Sequence, residues 1–110
     1  MREELEVHVD ASIFTREGGA YGMLSGNLKL SFEPQIGDTI SFGPTERSGP
    51  CPPGFFGQLR VTDRILSAGE MTDTLLVALE DIKVDTVAVA GTLNAFFENG
   101  FGLFVHVYDS

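Results

Sequence analysis

The sequence predicts an α+β domain: a strongly bent, open-barrel-like antiparallel sheet of about six strands, with one helix near 86–98 before the last strand. Three observations lead there. Apolar and polar residues alternate at both ends of the chain, which is the period of a half-buried strand. Glycine and proline punctuate the runs between. Apolar residues spaced at i, i+4, i+7 and i+8 occur near the C-terminus, at Val89, Leu93, Phe96 and Phe97. There is no internal repeat. The strand–helix alternation of a doubly wound parallel sheet is missing, and with it the usual nucleotide-binding crevice.

Residues 4–14 form the clearest strand. Leu5, Val7, Val9, Ala11 and Ile13 fall on one face, and Glu4, Glu6, His8, Asp10 and Ser12 on the other. The next stretch carries Gly18, Gly19, Gly22 and Gly26 and reads as a flexible connection over 15–26. A second strand is expected at 27–33, with Leu28, Leu30 and Phe32 inward. Glu33-Pro34-Gln35 ends it, and Gly37-Asp38 opens a third strand through Ile40 and Phe42. Residues 43–57 hold Pro44, Pro50, Pro52 and Pro53 together with Gly43, Gly49, Gly54 and Gly57, a composition that disfavours any continuous element. A fourth strand at 58–66 places Leu59, Val61 and Ile65 in phase. Asp63 falls on that same phase, so it needs either a bulge that turns it outward or a buried donor. Ser67-Ala68-Gly69-Glu70 reads as a turn, and 74–82 as a fifth strand through Leu75, Val77 and Leu79.

The segment 86–98 has two readings. As a helix it is capped by Asp85 or Thr86 and stopped by Gly100 at the C′ position, with Phe101 packing back. In the all-β alternative, Val87, Val89, Leu93, Ala95 and Phe97 alternate, and 98–100 makes a hairpin loop. Propensity favours the strand, since Thr86, Val87, Val89, Gly91 and Thr92 are poor helix residues. Length favours the helix, because an unbroken strand from 84 to 97 exceeds the usual range of roughly 3–10 residues. The helix is preferred, since packing overrides propensity. A last strand at 102–108 turns Leu103, Val105 and Val107 inward and Phe104, His106 and Tyr108 outward.

A chain of 110 residues suits one domain over 1–110. Seven basic residues against sixteen acidic ones give a net charge of −9. That field repels phosphate backbones and anionic lipids, so neither nucleic acid nor a membrane is an expected partner. With 43% hydrophobic residues, the chain is too apolar for a disordered acidic tail. The opening residues, Met1-Arg2-Glu3-Glu4-Leu5-Glu6, lack the character of a signal peptide, and no apolar run approaches the roughly 18 residues of a membrane span. A reduced, cytoplasmic location is the expectation, and a single cysteine fits it.

No pattern of catalytic spacing is present. Neither Gly18-Gly19-Ala20-Tyr21-Gly22 nor Gly54-Phe55-Phe56-Gly57 leads into Lys-Ser/Thr or a helix start, so no phosphate cradle is expected. Cys51 stands between Pro50 and Pro52, with little backbone donor support for an oxyanion. His8 and His106 lie on the polar phases of the terminal strands and would meet only if those strands paired. No catalytic residue, metal or cofactor is therefore expected.

Surface features remain. Glu4, Glu6 and Asp10 line one side of the first strand with no lysine among them, a docking face suited to a basic protein. The 43–57 loop adds Arg47, Cys51, Phe55 and Phe56. Fixed prolines let such a loop present a pre-organised contact, with one of Phe55 and Phe56 serving as its anchor in the core. The expected function is a non-enzymatic protein-binding module, immunity- or adaptor-like by analogy, that uses these residues. The alternative is a small apolar-ligand binder with a pocket of Phe32, Phe42, Phe96 and Phe97. A Cys- or metal-dependent enzyme built on Cys51, His8 or His106 ranks third. Edge strands also offer a route to homo-oligomers.

Overall fold

The N-terminal alternation forms β1 (Leu5–Thr15), which buries Val7, Val9, Ala11, Ile13 and Thr15 and turns the intervening side chains outward. The computed structural model describes residues 5–65 and 75–108; Glu4, the 67–70 turn, and residues 66 and 74 at the ends of two expected strands lie outside the described residues. β1 runs straight into β2 (Gly19–Leu30), antiparallel, with Leu5 opposite Leu30 and Thr15 opposite Gly19. The Gly18 N–H donates to Thr15 Oγ1 at 2.9 Å, and Gly19 supplies the left-handed φ of 77° that closes the turn.

The stretch read as a flexible connection is therefore mostly strand, and two of its glycines answer to packing. A Cβ at Gly22 would stand 2.4 Å from the carbonyl oxygen of His106 on the last strand. One at Gly26 would stand 2.8 Å from Leu103 Cδ2. Glycine inside a strand marks close approach here, not looseness. Phe32 lies past the end of β2 and is 69% exposed, so it does not point inward as expected.

The remaining strands are β3 (Thr39–Ser41), β4 (Gln58–Ile65), β5 (Leu75–Leu79), β6 (Ile82–Val84) and β7 (Phe104–Val107). They form an open sheet in the order β3-β4-β5-β1-β2-β7, with β6 pairing with β1 beyond β5. The β1–β2, β2–β7, β3–β4 and β4–β5 ladders are antiparallel, whereas β1 runs parallel to β5 and β6. Alternation assigns a residue to a face and is silent about strand direction, so these two parallel ladders are not visible in the sequence. The fifth strand stops at Leu79 instead of reaching 82. Glu80 turns aside there, accepting the Arg60 N–H on Oε2 at 2.6 Å and donating its own N–H to Arg60 O at 2.9 Å. Pairing resumes along β1 at Ile82. At Asp63 the bulge alternative holds: the register slips between Val61 and Asp63, and the carboxylate is exposed.

The C-terminal segment is helix α1 (Val87–Phe101), not a hairpin. Thr86 is the N-cap, its Oγ1 accepting from the Val89 N–H at 3.1 Å, and Glu17 Oε1 from the β1–β2 turn accepts the Val87 N–H at 2.7 Å. Thr86→Ala should lower stability by about 1 kcal/mol, measurable as a shifted midpoint in urea unfolding with an unchanged slope. The helix ends later than expected. Gly100 lies within it, and Gly102 takes the left-handed conformation, the N–H groups of Gly102 and Leu103 returning to the carbonyls of Glu98 and Phe97. The extra turn carries Phe101 onto Phe42 and Phe96, with ring centroids 5.2 and 5.6 Å away.

Ala90, Leu93, Phe96 and Phe97 are the buried residues of α1 and complete one hydrophobic core with Val9, Ile13, Leu24, Val61 and Val77. The bent sheet wraps one side of α1. The 43–57 loop covers another.

Candidate functional site

The loop between β3 and β4 is held at both ends and along its length. The Phe42 N–H donates to Gly57 O across its base. Thr45 and Ser48 bond reciprocally, the Thr45 N–H to Ser48 Oγ at 2.8 Å and the Ser48 N–H to Thr45 Oγ1 at 3.0 Å. Pro52-Pro53-Gly54-Phe55 is a second turn, closed by the Phe55 N–H on Pro52 O at 3.1 Å, with Gly54 at φ 88°. Proline at the second position and a positive-φ glycine at the third are what a type II turn requires. Four prolines with fixed φ and two hydrogen-bonded turns leave the loop few alternative shapes.

Of the two phenylalanines at its end, Phe55 is the anchor. It is buried to 5% exposure, with its ring 5.6 Å from Phe96 and 5.3 Å from Phe97. Phe56 is 90% exposed, the highest value among the exposed large hydrophobic residues described. Gly57 follows at φ 79° and returns the chain to β4. Phe55 is thus removed from the candidate contact surface, since burial leaves it nothing to present. Phe56 stays on it.

Phe56 borders a small cleft of about 130 Å³ shared with Gly54, Gln58, Glu80, Asp81 and Lys83. Asp81 and Lys83 are exposed, and Glu80 is half-buried with one carboxylate oxygen on the Arg60 N–H. Glu80 and Asp81 are distant from this loop in sequence. They become its neighbours only because β5 breaks at 80, and no local signal marks that break.

The other expected contact residues are spread out. Glu6 and Asp10 project from the face of β1 opposite the helix, away from Phe55. Glu6 stands directly across from Lys29 on β2, so the acidic stripe is less uniform than the first strand alone implies. Arg47 is exposed in the Thr45–Ser48 turn. Cys51 is half-buried and lines an apolar cleft of about 390 Å³ with Ser48, Pro50, Pro52, Pro53, Thr92, Ala95 and Phe96. That cleft lies between the loop and α1.

The aromatic pocket expected from Phe32, Phe42, Phe96 and Phe97 does not form. Phe42 and Phe97 pack edge to face at 5.4 Å in the core, and Phe32 lines a separate cleft with Leu30, Pro34 and Ile40. The histidines do not meet either. β2 separates β1 from β7, and His8 Nδ1 is 2.9 Å from Asn27 Oδ1, whereas His106 stands opposite Met23. Among the described residues, no group of three or more His, Cys, Asp or Glu side chains is placed to hold a metal ion. No described helix is long and apolar enough to cross a membrane.

The chain matches no protein-family model, no curated protein and no solved structure.

Proposed function

We propose that this is a non-enzymatic protein-binding module, immunity- or adaptor-like in kind, whose contact surface centres on Phe56 at the end of the 43–57 loop. The exposure of Phe56 beside its buried neighbour Phe55 carries the reading. Full exposure of a phenylalanine opposes solubility, and here the ring is held out by a loop that two turns and a core anchor make stiff. A pre-ordered aromatic loses little entropy on binding, which is what an interface hot spot needs.

The net charge of −9 and the carboxylates of Glu80 and Asp81 beside the ring favour a partner with basic residues around an apolar centre. Arg47 and Cys51 lie further back on the same loop; Glu4, Glu6 and Asp10 belong to an acidic field that speeds encounter. A reduced compartment such as the cytoplasm suits the lone unpaired thiol. An affinity capture with the immobilised full chain, eluted with rising salt, tests this reading. Basic proteins released at moderate salt are expected; partners that are acidic and indifferent to salt would contradict it.

A small apolar ligand is the second reading, favoured by the 390 Å³ cleft of Cys51, Pro52 and Phe96. Its size is within the usual range for small-molecule sites of about 300–1,000 Å³. Native mass spectrometry of the purified chain separates the two readings: a co-purified apolar molecule supports the ligand, and the bare mass supports the docking surface.

A further inference from the structure

Strand β7 ends the sheet, with β2 on one side and, among the described residues, no strand on the other. Its run with the next residue, Phe104-Val105-His106-Val107-Tyr108, is nearly a palindrome: aromatic, valine, histidine, valine, aromatic. The Tyr108 N–H donates to Tyr21 O at 2.9 Å. Since an antiparallel ladder alternates, the backbone groups of Tyr108, His106 and Phe104 point toward β2, and those of Val105 and Val107 toward the free side. On the outer face Phe104 is 58% and Tyr108 40% exposed, with Met23 exposed beside His106. The usual protections of an edge are missing, as 104–108 contains no lysine, acid or proline.

We infer that β7 pairs antiparallel with β7 of a second copy of this chain, about a two-fold axis at His106, joining the two sheets into one. The palindrome selects that occupant. With the axis at His106, Val105 falls opposite the second copy's Val107, and these are the residues whose outward N–H and C=O groups can exchange hydrogen bonds. Phe104 falls beside the second copy's Tyr108, an aromatic cross-strand pair on each side of the axis. The two copies of His106 face each other as a non-hydrogen-bonded pair, where side chains are closest. A chain carrying −9 repels itself in general, and this edge has no acid of its own between 104 and 108 to add to that. A strand from an unrelated protein would find the same backbone groups without the matched side chains.

Sedimentation equilibrium of the full chain over a range of concentrations is expected to show a monomer–dimer equilibrium. His106→Asp sets two carboxylates face to face on the axis and should weaken the dimer at least tenfold. His106 is exposed, so circular dichroism of this variant should match the parent. A second pair of variants, both made with Cys51→Ser, reads the register independently of that fold. Under oxidised glutathione, His106→Cys should cross-link the dimer through a disulfide, whereas Met23→Cys, one strand removed from the axis, should not. A chain that stays monomeric throughout, a dimer indifferent to His106→Asp, or equal cross-linking at 23 and 106 would each overturn the inference. Phe56→Ala should leave the dimer unchanged, which keeps this result separate from the binding role proposed for the loop.

Discussion

Phe97→Ala should lower the unfolding free energy by about 3–5 kcal/mol, the largest loss expected of a single substitution in this chain. Phe97 is fully buried, and its ring lies 5.4 Å from Phe42, 5.3 Å from Phe55, 5.4 Å from Phe96 and 6.3 Å from Phe101. It therefore joins the end of β3, the loop anchor and two further positions of α1. Truncation removes the transfer free energy of the ring and leaves a cavity that these rings, fixed by their own elements, fill only in part. A domain of this size has roughly 5–15 kcal/mol in total, so the variant should be marginal at room temperature. Urea unfolding followed by circular dichroism checks this, and a loss below about 1.5 kcal/mol would mean that the aromatic cluster repacks freely.

Gly100→Ala sets two effects against each other, and geometry decides the sign. In an unobstructed helix, alanine for glycine would stabilise by about 1 kcal/mol. Here the new Cβ would stand 2.4 Å from Ser48 Cβ and 3.2 Å from Thr45 Oγ1. Ser48 cannot easily withdraw, because its N–H and hydroxyl are committed to Thr45 and Gly49. A net loss of about 1–3 kcal/mol is expected, the usual cost of overpacking. Combining it with Ser48→Gly should recover part of that loss, since the two changes share one contact. A Gly100→Ala variant more stable than the parent would show that the loop does not rest on the helix.

Much of the fold was legible because burial writes itself into period. β1 and the inward Leu103 and Val105 follow from alternation, whereas Val107, expected inward with them, is exposed; α1 follows from Leu93, Phe96 and Phe97 against the local propensity of Val87, Val89 and Thr92. Glycine misled. Gly22 in β2 meets His106 of β7 and Gly26 meets Leu103 just before it, a tertiary reason that composition cannot show. Gly100 misled in the same way: it marks the approach of Ser48, and the helix runs on to Gly102. The parallel ladders of β1 were out of reach, since no residue pattern encodes direction. Of the candidate surface, the division of labour between Phe55 and Phe56 was readable as a choice of one anchor. The placement of Glu80 and Asp81 beside Phe56 depended on where β5 breaks.

The 43–57 loop buries Phe55 and presents Phe56. Comparing the parent chain with Phe56→Ala tests this most directly. Peptides are selected from a random display library on the parent, and the binding of the best of them to both proteins is measured by calorimetry, alongside urea unfolding. The parent should select peptides with basic residues around an apolar centre. Phe56→Ala should bind them about 30-fold more weakly, a hot-spot loss of about 2 kcal/mol, with stability changed by less than about 0.5 kcal/mol. Equal affinity for the two proteins, or a large loss of stability in Phe56→Ala, would contradict it.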